Sequence, residues 1–325
     1  MKSIEELKEF FNVELKKDLE TLELDRKKLA QKLILINLLC GLGTGISIIL
    51  FFNTYSFKLT ALIPMVGIII LWVILSRGTK KEYVSNFKSC VIAKIIKFID
   101  PNLNYLPQSC ISQSDYMGSR IFPREPDEYR GDDLVYGLLG KTNIRFSELH
   151  TEYKTETKNS EGYKQTDWHT IFKGLFFIAD FNKNFKGYTL ILPDTAQKMF
   201  GSLIGNLFQS WNKMRGELIK MEDVEFEKYF VVYGSDQIEA RYILSTSLMK
   251  RITDFRKKTE KQIYLSFVSN KIFVAIPYHE DLFEPKIFKT LLDFSIIQEY
   301  YQDLMLAIEI VEELDLNTRI WVKTT

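Results

Sequence analysis

Hydrophobic positions follow three different rhythms along the chain. Ile4, Leu7, Phe11, Leu15, Leu19 and Leu22 recur at spacings of three and four, which predicts an amphipathic helix within residues 1–32. From Leu33 to Phe52 the pattern gives way to twenty residues without a charge, thirteen of them Leu, Ile or Phe. At about 1.5 Å per residue such a helix crosses a hydrocarbon core of roughly 30 Å. A second uncharged run covers Leu59–Leu75. Only residues 53–58 lie between the two, so they predict an antiparallel transmembrane hairpin over residues 33–75 (33–52 and 59–75).

Beyond the hairpin, Tyr83, Phe87, Val91, Ile95 and Phe98 predict a further helix that stops at Asp100-Pro101. The proline-bearing stretch 101–131 reads as an irregular linker, so residues 76–130 form a juxtamembrane helix and linker. Strand-like runs follow at Asn143–Thr155, Trp168–Phe181, Tyr188–Leu192 and Glu217–Tyr233. A change of parity near Ser147 predicts a bulge there, and Asn159–Gly162 reads as a turn. Ile263–Phe267 and Ile272–Ile276 form a hairpin around Ser269-Asn270. Helices are expected at Met199–Trp211, after Ser245, and after Pro285 with a break near Ser295, and a closing strand at Arg319–Lys323. The fold class is therefore α+β. An antiparallel sheet packed with helices, residues 131–325, is carried on an amphipathic stalk helix and a membrane hairpin.

Charge orients this arrangement, although the net charge of +1 hides it. Arg26, Lys27, Lys28 and Lys32 precede the hairpin, Arg77, Lys80, Lys81 and Lys88 follow it, and the turn holds Lys58 alone. Basic flanks stay in the cytoplasm, so both termini are expected there. Lys80, Lys81, Lys88, Lys94 and Lys97 read either as contacts to anionic lipid or as a solvated helix face. Likewise, the 1–32 helix packs on its own protein or forms a coiled coil between subunits. Gly41 and Gly45 make a GxxxG pair suited to close helix approach. The three cysteines form no pair and the three histidines no ligand spacing, so no metal and no cofactor is expected. No basic domain points to nucleic acid. The expected partners are the lipid bilayer and another protein or a second copy of the chain.

Several patches resemble a bacterial family of unknown function, family 3137: Tyr129-Arg-Gly-Asp-Asp-Leu134, Gly140-Lys-Thr142, Phe172-Lys-Gly-Leu-Phe-Phe177 with Ala179-Asp-Phe181, Phe230-Val-Val-Tyr233 with Gln237–Leu244, Leu265-Ser-Phe267 with Ala275-Ile-Pro277, and Asp281-Leu-Phe-Glu-Pro285. The resemblance covers residues 80–323. It implies an N-terminal membrane hairpin with a soluble C-terminal domain at the bacterial inner membrane, and it supplies no catalytic residues.

Candidate chemistry is sparse. Gly140-Lys141-Thr142 looks like the end of a phosphate loop, but Val135 stands where that pattern needs glycine, which favours a strand turn. Asp236, Glu239 and Arg241 make a polar cluster read either as a recognition site or as an Arg–carboxylate clamp on a turn. Trp168 and His169, beside Lys173, read as core or as an interaction edge. These readings make the chain a membrane-anchored interaction or regulatory module. The alternatives are an enzyme acting near the membrane surface and an oligomeric membrane assembly.

Overall fold

The computed structural model describes residues 2–53, 58–158, 164–181, 186–194 and 216–317. The chain is mixed α+β, with long apolar helices at the N-terminus and a large antiparallel sheet with helices after them. It divides into two compact units, residues 1–99 with 283–301, and residues 100–282 with 302–325. The expected helix Met199–Trp211, the strand Arg319–Lys323 and the turn Asn159–Gly162 lie outside the described residues.

In the first unit, α1 (Ile4–Phe10) starts with a capping box between Ser3 and Glu6. It runs through a π-turn at Phe11–Leu15 into α2 (Lys16–Asn53). The π-turn adds a residue to the helical turn and lets the adjacent Phe10 and Phe11 both be buried. Phe10 stacks on Phe98 at 4.3 Å, Phe11 meets Phe294 at 5.5 Å, and Leu7, Leu15 and Leu19 are fully covered. The expected stalk is therefore packed within its own protein, because its apolar stripe finds partners in the same chain. α3 (Lys58–Phe87) returns beside α2, with the Trp72 indole N–H donating to Asn37 Oδ1 at 2.7 Å. Gly43 faces Ile68 on α3, whereas nothing lies within 4 Å of a Cβ built on Gly41 or Gly45. A second π-turn, Lys88–Ile92, leads to α4 (Ala93–Ile99).

The second unit is built on nine strands: β1 (Leu103–Leu106), β2 (Glu128–Leu139), β3 (Thr142–Lys158), β4 (Lys164–Asp180), β5 (Tyr188–Pro193), β6 (Glu217–Ile219), β7 (Phe230–Gly234), β8 (Tyr264–Val268) and β9 (Lys271–Pro277). They lie in the order β1-β2-β3-β4-β9-β8-β5-β7-β6, every neighbouring pair antiparallel. Tyr116, Phe122, Phe172, Phe176, Tyr264 and Phe273 form the centre of a buried cluster on the sheet. Short helices complete the unit: α5 (Gln113–Gly118), α6 (Val224–Glu227), α7 (Gln237–Ile243) and α8 (Thr246–Thr259). The last helix, α9, covers Phe294–Glu313.

Four local expectations change. The stretch 101–131 carries β1, α5 and the start of β2, because its prolines delimit short elements instead of preventing them. The strand expected over 217–233 is two short strands separated by α6, which Asp223 caps by accepting from Glu225 N and Phe226 N at 3.0 Å. The final helix begins at Phe294, beside the break expected at Ser295, and the part expected between Pro285 and that break is not helical; Asp293 accepts from Ser295 N at 2.9 Å. The bulge sits on β2, whose Asp133-Leu134 are the extra residues opposite Ser147.

Candidate functional site: carboxylates behind a strand bulge

The bulge on β2 turns two consecutive acidic residues toward a third. Asp132 pairs with Glu148 across the β2–β3 ladder, and Asp133 follows in a left-handed conformation, φ 59°. Asp is among the few residues that adopt this conformation readily. Carboxylate oxygens of Asp132, Asp133 and Glu148 all lie within 4.8 Å of one another. Asp133 is 1% exposed and Glu148 6% exposed. Gly131 is required beside them: a Cβ there would stand 2.5 Å from the Glu148 carbonyl oxygen and 2.8 Å from Cys110 Cβ.

Tyr105 donates its hydroxyl to Asp133 Oδ1, and the Leu282 N–H donates to Glu148 Oε2 at 2.9 Å. Burial pushes the Glu148 carboxyl up to about 8; the Leu282 N–H opposes that rise, while Asp281, Asp132 and Asp133 add to it. Burial and then Asp132 also raise the Cys110 thiol. Near neutrality Glu148 therefore keeps a proton, which lets one carboxyl donate to another. Three carboxylates that converge in this way are also the donor set of a hard cation, whose remaining positions water or backbone carbonyls fill.

One of the residues singled out in the sequence reaches this region. Lys173, on β4, pairs with Asp281 at 2.7 Å and donates to the His279 carbonyl at 3.0 Å, fixing the loop that carries Leu282. Trp168 and His169 stand elsewhere on β4. His169 stacks on Tyr153 at 4.9 Å and bonds Thr155 at 2.9 Å, and Arg124 covers the other ring of that pair at 3.6 Å. Trp168 is exposed opposite Lys154.

Asp236, Glu239 and Arg241 do not form the expected clamp. Asp236 caps α7 by accepting from Ile238 N and Glu239 N at 2.7 and 2.9 Å. Glu239 accepts from Lys186 N and Gly187 N at 2.8 and 2.9 Å, tying the start of β5 to α7. With both carboxylates committed to backbone donors, Arg241 is left on the rim of an open groove of about 630 Å³ floored by Met221, Leu244 and Met249. Gly140-Lys141 is the two-residue turn between β2 and β3, with Gly140 at φ 63°, and Thr142 donates to the Leu316 carbonyl at 3.1 Å. Sequence reading missed the role of Asp132, Asp133 and Glu148. The adjacent acids were visible in the Tyr129–Leu134 patch, but nothing local pointed to Glu148.

No curated protein matches the chain. Among solved structures, the mycobacterial trehalose monomycolate transport factor A, TtfA, aligns over 70% of this chain and 93% of its own, at 9% identity and a TM-score of 0.32. The Tyr129–Leu134 and Gly140–Thr142 patches fall outside the family match, whereas the patches from Phe172 to Pro285 fall inside it. Residues 170–316 match the model of the family described as "Protein of unknown function (DUF3137)", the family that the sequence motifs resemble.

Proposed function

We propose that the chain is a membrane-anchored interaction or regulatory module whose hairpin, residues 33–52 and 59–75, spans the bacterial inner membrane with both termini in the cytoplasm. One observation carries the reading: Ile34, Leu35, Leu38, Leu39, Leu42 and Ile46 on α2, and Ile63, Val66, Ile69, Ile70, Leu71 and Ile74 on α3, are exposed, and their neighbouring positions spread the apolar surface over a wide arc of each helix. Apolar surface of that extent is unstable in water and at home in hydrocarbon. The helical stretch Ile4–Ile49 is long and apolar enough to cross a membrane. Three polar side chains within its apolar part bond inside the hairpin: Asn37 accepts from Trp72, Thr44 donates to the Gly41 carbonyl and Ser47 to the Gly43 carbonyl.

The second unit favours interaction over catalysis because Glu148, the strongly perturbed carboxyl, is buried and lines neither the groove beside Arg241 nor the smaller one around Arg145 and Asp180. The occupant of the role is another protein or a second copy of the chain. A cysteine introduced by Tyr55→Cys should react with an impermeant thiol reagent in intact cells, and one appended after residue 325 should react only after lysis. Labelling in the opposite sense would overturn the topology. Crosslinking in intact membranes, followed by mass measurement, should give one discrete adduct, and a chain that stays monomeric at every crosslinker dose would count against the module.

A further inference from the structure

We propose that the base of the hairpin is a docking surface for anionic phospholipid headgroups, formed by a lysine collar on α2 and α3 and by the clamped loop Ile287–Leu292. The inference rests on the transmembrane reading and names the lipid class that reading leaves open.

The two helices run in a simple antiparallel register. Asn37 bonds Trp72, and six residues further along α2 Gly43 faces Ile68, four residues earlier on α3. Each step down α2 is thus matched by one step up in number along α3. Lys32 then shares a level with residue 77, and Lys28 with Lys81, while Lys80 falls between Lys28 and Lys32. The cations at 27, 28, 32, 80 and 81 lie within the span of Lys27 to Lys32, about 7–8 Å of helix length. That is roughly the depth of one headgroup layer, the difference between a bilayer of about 40–45 Å and its core of about 30 Å shared by two faces. All five lysines are exposed. Lys32, Lys80 and Lys81 enter no ion pair among the described residues. The acids near them sit toward the end away from the apolar run: Asp25 holds Lys28 at 3.3 Å, Glu23 lies 3.8 Å from Lys27, and Glu82 is level with Lys27. Of the other lysines that follow the hairpin, Lys88 is buried against Glu284 at 2.8 Å and Lys94 is bound by Asp18, which removes both from a lipid-facing role.

A loop from far along the chain is pinned at the same level. Arg26 Nη1 donates to the Ile287 carbonyl at 2.7 Å, and Glu23 Oε2 accepts from Leu291 N at 3.0 Å. Between those two fixed points the loop presents Phe288, 66% exposed, and Lys289, followed by Leu292, 43% exposed. Exposed aromatic and aliphatic side chains beside a cation suit an interfacial anchor, with the apolar groups buried in the headgroup boundary and the lysine on phosphate.

The test uses the full chain in vesicles of phosphatidylcholine and phosphatidylglycerol, one lipid or the other brominated on its acyl chains. Trp72 lies within the hairpin and reads the lipids around it. Brominated phosphatidylglycerol should quench at a mole fraction about fivefold lower than brominated phosphatidylcholine. In the variant Lys27→Gln, Lys28→Gln, Lys32→Gln, Lys80→Gln, Lys81→Gln, the two lipids should quench alike while both still quench. Emission added by Phe288→Trp should also be quenched. Equal quenching by the two lipids in the unaltered chain would overturn the collar, and unquenched emission from Phe288→Trp would overturn the loop. Absence of quenching by either lipid would instead remove the transmembrane reading itself.

Discussion

The clamp at the base of the hairpin and the cluster behind the β2 bulge each bury a glutamate, and their surroundings drive the two carboxyls in opposite directions. Glu23 faces Arg26, which donates to both of its oxygens at 2.7 Å. That hydrogen bonding, helped by the Leu291 N–H against the cost of burial, brings the carboxyl down to about 2. Glu148 has one backbone donor and three neighbouring acids, and burial takes it up to about 8. Burial alone does not decide the charge of a carboxyl. The number and sign of the groups that share the site do.

The largest effect should come from opening the clamp. Arg26→Met removes both charged hydrogen bonds to buried Glu23 and leaves only the exposed Lys27 at 3.8 Å, and loss of one partner of a buried pair costs roughly 3–5 kcal/mol. Thermal melting of the full chain in detergent should show a large fall in midpoint, and Glu23→Gln added to Arg26→Met should recover part of it. A midpoint unchanged by Arg26→Met would mean that the pair is solvated and that the contrast with Glu148 is false.

The second test reads the opposite sign. Glu148 is raised in the folded chain above its unfolded value of 4.5, so between pH 4.5 and about 8 the folded state holds the extra proton. Its contribution is full below 4.5 and is lost as pH rises toward 8, at about 1.4 kcal/mol per pH unit. Glu23 works the other way: its contribution is present above 4.5 and is lost as pH falls toward about 2. Urea unfolding at pH 5.5 and 7.5 should show stability falling with pH in the unaltered chain and a flatter dependence in Glu148→Gln.

A smaller change should come from Gly131→Ala. The added methyl would meet the Glu148 carbonyl oxygen at 2.5 Å, and overpacking of this kind costs roughly 1–3 kcal/mol. Because strand β3 would have to shift, the pH at which Glu148 titrates, followed by carboxyl carbon chemical shift, should move with it. A loss of stability without that movement would separate packing from the titration.

The smallest effect is expected from Asp236→Ala, at about 1 kcal/mol for loss of an exposed helix cap. It sets the scale for an exposed carboxylate satisfied by backbone donors alone. A cost as large as that of Arg26→Met would show that the comparison overstates what burial contributes.

Much of the architecture was legible along the chain. The alternation of Ile263–Phe267 and Ile272–Ile276 became the β8–β9 hairpin, with Ser269 at φ 57°, and Ser245 caps α8 as expected. Short elements such as β1, α5 and α6 were not legible, since four to six residues contain too few repeats to establish a period. The candidate residues fared similarly. Asp236 and Glu239 drew notice as unexplained polarity, yet what they bind is backbone, including the N–H groups of Lys186 and Gly187 more than fifty positions earlier. Lys173 was noticed for its aromatic neighbours and is used for its pairing with Asp281.

What the sequence by itself determined is the pair of long apolar helices, the basic flanks and the alternating strands, because each depends on length, composition and spacing within one stretch of chain. The clamp and the carboxylate cluster were decided by tertiary structure alone. Arg26 reaches a carbonyl 261 positions away, Glu23 an amide 268 positions away, and Glu148 an amide 134 positions away. Whether a buried glutamate ends up as an anion or holding a proton depends on which of those distant groups strand register and loop closure bring within a few ångströms, and no local pattern carries that information.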